Sequence, residues 1–195
     1  VVLIDDRGAT TQDATIDALA RSGQHVLAID VRGTGVLGPT SGNSGYAPAY
    51  QFAARAWLLG TSVVAWQVQD IHAGLAVLEQ VLPPGPHEVT LMARGQTGPA
   101  ALLSSHFIPP AALVLEDSLV SYREFASADV HEGVTLTVVP GILKHTDLTE
   151  VMTRLTATRV RLVRPRSAEG RALSDADTAT LFGGQRPAHV SVTRE

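Results

Sequence analysis

HEVTLMARGQTGPAALLSS, His87 to Ser105, is the stretch on which the fold turns. Glu88–Ala93 is an apolar run of strand length. Gly95 supplies a sharp turn, and Gly98 and Pro99 open a helix, where Pro is tolerated in the first turn. The backbone N–H groups of such a strand-to-helix turn, backed by the helix dipole, favour an anion.

Outward from that turn, strand and helix alternate along the chain. Toward the N-terminus, Val1–Asp5 and His25–Asp30 read as strands around a helical TTQDATIDALARSG segment (10–23) whose Ile16, Leu19 and Ala20 share a face. Thr10 with Asp13 fits a capping box, and Gly23 supplies the stop. Val31–Tyr50, rich in Gly, Ser and Pro, reads as a long loop of the kind that is functional or mobile. Val64, Val68, Ile71, Leu75, Leu78 and Leu82 recur at the spacing of an amphipathic helix. Toward the C-terminus, Ala111–Glu116, Val134–Val139, Arg159–Val163 and His189–Val192 read as strands. Two further helices open at Asp147 and Ser174, each with an acid three residues on. Apolar strands alternating with helices predict an α/β fold, a doubly wound and mostly parallel sheet with helices on both faces.

The chain has 195 residues, room for one domain over 1–195 with a core of its own. It lacks cysteine, which excludes disulfides, Cys–metal sites and a thiol nucleophile, and leaves the compartment undetermined. A net charge of −4 with scattered Lys and Arg gives no footprint for nucleic acid. No apolar run reaches the roughly 18 to 20 residues of a membrane span. Val1 begins inside a strand with no signal-peptide pattern, so a preceding segment is expected to be missing. Seven histidines are scattered without metal-ligand spacing, and neither a metal nor a cofactor is implied.

In a G-x-S-x-G nucleophile elbow, small residues flank a Ser held at the tip of a strand-to-helix turn. Here Ala93 and Thr97 take the small positions, Arg94 and Gln96 the intervening ones, and Gly95 the nucleophile's. Around this turn the chain resembles the α/β-hydrolase superfamily, and within it dienelactone-hydrolase-like and acetyl-xylan-esterase-like bacterial proteins. The resemblance rests on GQHVLAIDVRGTG (23–35), LLGTSVVAWQVQDIHAGLAVLE (58–79), ALVLEDSLVSY (112–122) and VPGILKHTDLTEV (139–151), in that order. It implies the hydrolase fold and a Ser–His–acid mechanism, with the acid near Ser167, where only Glu169 could serve, and the His after the last strand. The elbow Ser is glycine here, and His189 precedes its strand, so catalytic residues are not carried over.

Other nucleophiles and bases are weighed by position. Ser62 starts a helix and reads as its N-cap. Ser104 and Ser105 lie inside the helix after the elbow. Ser118 and Ser121 follow a strand, at the edge where α/β sites gather. His145 and Asp147 form the most tempting acid–base pair, although Asp147 also reads as an N-cap and His145 as a loop residue. His72 and Asp70 do not share a helix face. Arg94 is expected to reach Glu116 or Asp117. If catalysis exists, Ser118, His145 and Asp147 are the candidates, and Arg94, Gly95, Gln96 and Thr97 are the candidate binding turn. Asp5 and Asp6, in the region that often supplies an oxyanion donor, would repel a developing oxyanion.

These readings converge on an esterase-like α/β-hydrolase domain with a lost or incomplete serine mechanism. Its expected role is accessory or ligand-binding, for a small ester or carboxylate, within a larger protein. A divergent ester hydrolase with an unassigned nucleophile is the alternative. A third reading, a nucleotide-binding Rossmann-type oxidoreductase with Asp30 toward a ribose, lacks the glycine fingerprint, since DDRGATT offers only Gly8.

Overall fold

The computed structural model describes residues 1–40 and 46–194, so residues 41–45 of the expected loop lie outside the described part. Six parallel strands form one sheet: β1 (Val2–Asp5), β2 (Leu27–Ala28), β3 (Thr90–Arg94), β4 (Ala112–Glu116), β5 (Arg159–Val163) and β6 (Val190–Thr193). Their spatial order is β2-β1-β3-β4-β5-β6. The chain winds from β1 outward to β2, then returns to the other side of β1 and winds through β3 to β6. That is a doubly wound sheet, and its order differs from the 3-2-1-4-5-6 arrangement of the dinucleotide-binding fold.

One sheet face is continuously apolar because each strand turns alternate residues to it and the parallel register lines them up. Val2, Leu91, Leu113, Val160 and Val190 are register neighbours across five strands, and Ile4, Ala93, Leu115 and Leu162 form the next row. They pack with Ile71 and Leu75 of α3 (Val63–Val81), Ala101 and Leu102 of α4 (Gly98–Phe107), and Leu148 and Met152 of α7 (Leu148–Arg154). The other face is more polar. Helix α1 (Asp13–Arg21), which buries no residue fully, lies toward β1 there, while Arg159, Arg161 and Ser191 are exposed.

Several expectations need correction. Val134–Val139 is not a strand: Val134–Thr137 forms a single helical turn, α6, after Gly133, whose φ is +65°. β4 pairs directly with β5, so the sheet has no slot for that segment. Leu136 instead packs against Ala53, Ala56 and Val63. The 31–50 loop is shorter than expected, because α2 (Pro48–Leu58) begins with Pro in its first turn. Neither the Thr10/Asp13 nor the Asp147/Glu150 capping box forms. A 3-10 turn over Ala9–Gln12 precedes α1, and Glu150 pairs with Arg123 at 2.5 Å. The Ser174/Asp177 box does form, at the start of α8 (Asp175–Leu181). Ser62 caps α3, accepting the Ala65 N–H at 3.1 Å.

Candidate functional site

The switch point of the sheet lies between β1 and β3, where ligands of open α/β sheets bind beyond the strand carboxyl ends. Register places Asp5 beside Arg94 there. A cleft of about 690 Å³ opens above them, with Asp6, Arg7, Gly95, Gln96, Arg164 and Arg166 among its lining residues.

The turn after β3 has the strand–turn–helix course anticipated for it. Gly95 adopts φ +63°, and Gly95–Thr97 form a 3-10 turn leading into α4. Thr97 is fully buried, its hydroxyl donating to the Arg94 carbonyl at 2.8 Å. What fills the tip comes from another strand. The Asp6 carboxylate accepts the Gln96 N–H at 2.9 Å, and a Cβ on Gly95 would collide with that carboxylate. Burial pushes the Asp6 pKa up. The Gln96 hydrogen bond works against that shift, and the negative charge of Asp5 adds to it. The N–H group that could face a ligand anion is thus engaged by the protein's own carboxylate.

Beside the turn, charges alternate along the strand ends. Asp5 is held by Arg7 (3.1 Å) and Gln12, and it faces Arg94 at 3.6 Å; Arg94 donates to Glu116 at 2.5 Å. Glu116 also pairs with Arg164, Arg164 with Asp117 at 2.8 Å, and Asp117 with Arg166 at 2.8 Å. Burial alone would raise the Asp117 pKa, but Arg164 and Arg166 hold it below the usual carboxylate range. Asp117 and Arg164 both take left-handed backbone conformations, with φ of +49° and +46°. Such conformations cost a non-glycine residue about 1 to 2 kcal/mol. The signal for this row was present in the sequence as charged residues closing each strand: DDR after β1, R after β3, ED after β4 and RPR after β5. The order of the strands was needed to join them.

The sequence candidates do not assemble. Asp147 is fully buried and accepts from the Tyr122 N–H (2.7 Å), the Leu148 N–H (2.7 Å) and the Ser121 hydroxyl (2.5 Å). It is the N-cap of α7 and ties the segment after β4 to it. His145 is exposed on its loop. The Ser118 hydroxyl is buried without a hydrogen-bond partner and sits against Gly98, where a Cβ would overlap it. Among the described residues no hydrogen bond joins any two of Ser118, His145 and Asp147.

The resemblance places an acid near Ser167 and a base after the last strand. Arg164 and Arg166 follow β5, and Glu169 is exposed. His189 lies before β6, at the opposite sheet edge, bonded to the Met152 carbonyl at 3.0 Å. Asp70 pairs with Arg32 at 2.8 Å. Asp30 accepts the N–H groups of Ala9 (2.6 Å) and Val36 (2.9 Å), which engages the carboxylate the nucleotide reading would need. Among the described residues no group of three His, Asp or Glu side chains is placed to hold a metal ion. No helix there is long and apolar enough to cross a membrane.

No protein-family model matches the chain, and no curated protein matches it. Solved structures do. The Pyrococcus horikoshii acylaminoacyl peptidase aligns over 98% of this chain and 32% of its own, at 14% identity and a TM-score of 0.54. A structure from LipS and LipT, two metagenome-derived lipolytic enzymes, aligns over 98% of this chain and 81% of its own, at 13% identity and a TM-score of 0.51. This chain therefore spans about a third of the peptidase. Identities this low speak for architecture only, and with the parallel, doubly wound sheet they show that the chain has the α/β-hydrolase fold.

Proposed function

We propose that this chain is an α/β-hydrolase-fold domain of the esterase-like branch that no longer runs a Ser–His–acid mechanism and serves as an accessory, ligand-binding domain of a larger protein. The observation that carries the reading is the Asp6–Gly95–Gln96 contact. A glycine stands at the tip, a neighbouring carboxylate fills the space of its missing side chain, and the same carboxylate takes the Gln96 N–H. A developing oxyanion there would meet negative charge instead of a donor. Arginines after β5, where the acid belongs, support the same conclusion. The ligand proposed for the cleft is a small ester or carboxylate, which would compete with Asp5, Glu116 and Asp117 for Arg7, Arg94, Arg164 and Arg166.

The test is hydrolysis of short-chain aryl esters by the purified protein. The expected result is no turnover above the solvent rate, unchanged in Gly95→Ser because the new side chain collides with Asp6. One observation favours the second reading, a divergent ester hydrolase: Asp6 is itself a desolvated carboxylate with a raised pKa, facing the cleft. Native turnover that disappears in Asp6→Asn would establish that reading and end the first.

A further inference from the structure

We propose that the opposite, amino edge of the sheet carries a second binding site, for a hydrophobic amine. Its position is independent of the cleft: it opens beneath the first residues of β3, whereas Gly95 follows the last. A cavity of about 680 Å³ lies there, within the roughly 300 to 1,000 Å³ typical of small-molecule sites. Its floor is core material, Leu75 and Leu78 of α3 and Leu91 of β3, each less than a tenth exposed. Its mouth is apolar as well, formed in part by Leu82 and by Ile108, which is 44% exposed. Val81 and Phe107, at 69% and 68% exposure, are sequence neighbours of these mouth residues.

The walls are preorganised. Pro83 and Pro84 enter the cavity from one connection, and Pro109 and Pro110 from another. Their fixed φ angles remove conformational freedom that binding would otherwise have to freeze. The first connection is also latched, because the His87 Nε2–H donates to the Pro83 carbonyl at 2.7 Å. A rigid apolar slot with a few polar groups at its mouth is the usual form of a small-molecule site.

Charge selects the class of ligand. The lining includes one carboxylate, Glu79, and neither Lys nor Arg. An anionic head group would find neither Lys nor Arg there, with His87 the one basic side chain and its Nε2–H already given to the Pro83 carbonyl, whereas an ammonium placed at the mouth would meet Glu79. The carboxyl-edge cleft differs, its lining mixing four arginines with Asp6, Asp117 and Glu132.

The experiment is a titration of methyl-labelled protein with phenylbutylamine, followed by NMR, with phenylbutyrate as the acid of matching shape. Saturable shifts at the methyls of Leu75, Leu78, Leu82 and Ile108, with the amides of Gly95 and Gln96 unmoved, are expected for the amine. The acid should bind at least about threefold more weakly. Glu79→Gln should lower amine affinity about two- to fivefold, the range of an exposed ion pair, and erase the preference. Ile108→Trp, at a half-exposed position, should fill the mouth and abolish the shifts without disturbing the fold. The proposal is overturned by an absence of saturable shifts at millimolar amine, by equal affinity for the acid, or by shifts confined to the carboxyl edge.

Discussion

Asp6 and Asp147 both lie beyond strand carboxyl ends and both hold backbone N–H groups, yet their surroundings give them different work. Asp147 is fully buried and receives two N–H groups and a hydroxyl, so its carboxylate is engaged on both oxygens. Asp6 borders the cleft, receives the Gln96 N–H, and has the like charge of Asp5 beside it. A carboxylate with a full set of donors is a fastening, because it has little capacity left for a ligand. One that is desolvated and sparsely bonded keeps that capacity, which is why such groups collect at sites. The residue that looks most catalytic in the sequence is therefore the structural one, and the one that looks like an obstacle borders the cleft at the switch point of the sheet.

The sharpest way to break this contrast is to remove Asp147. Asp147→Ala strands two buried N–H groups and a hydroxyl, and the expected cost is about 3 to 5 kcal/mol. In a domain of this size that lowers the thermal midpoint by roughly 10 °C. Asp6→Ala, measured by the same denaturant titration, should cost less than about 1 kcal/mol, since it loses one hydrogen bond and relieves a desolvated charge. Equal costs for the two variants would erase the distinction.

The tip of the turn comes next in size. Gly95→Ser combines left-handed backbone with a collision against Asp6, for an expected loss of about 2 kcal/mol. Adding Asp6→Gly should recover about half of it, a coupling that a double-mutant cycle resolves. Strict additivity would mean that the Asp6 carboxylate does not fill the space beside Gly95. Gly98→Ala is the smaller companion. Its Cβ would overlap Ser118, so a loss of about 1 kcal/mol or more is expected, reversed by Ser118→Gly.

The two carboxylates also mark where sequence reading stops. The strand–turn–helix course at Gly95 was legible because its parts are consecutive, and so were the caps at Ser62 and Ser174, whose partners lie three residues away. Asp6 and Gln96 are 90 residues apart and meet only because β1 and β3 are adjacent with Asp5 beside Arg94. The alternating row from Arg7 to Arg166 depends on the same register. Val134–Val139 misled for a related reason. Alternating Val, Leu and Val with threonines between them reads as a strand, but a strand needs an open slot, and the pairing of β4 with β5 leaves none.

Glu124, in the short helix α5 (Arg123–Ser127), is a third carboxylate between these extremes, and it supplies the smallest test. One of its oxygens is buried without a hydrogen-bond partner. Burial, with repulsion from Asp147, Glu169 and Asp177 opposed by Arg171, pushes its pKa from 4.5 to about 7. Between those values the folded protein holds the proton more tightly than the unfolded chain does, so this group's contribution to stability falls as pH rises from about 4.5 to about 7. Asp117, whose pKa is lowered, acts in the opposite sense, and its contribution is lost as pH falls below its ordinary value of 3.8. Glu124→Gln should therefore match the native protein near pH 4 and exceed it at pH 8. Solvent screening at this half-exposed position limits the gain to about 1 kcal/mol or less. Denaturant midpoints of the two proteins across that pH range measure the difference directly. A native protein more stable than the variant at pH 8, with the gap closing toward acid, would mean that Glu124 is stabilised in its charged form and belongs with the fastenings.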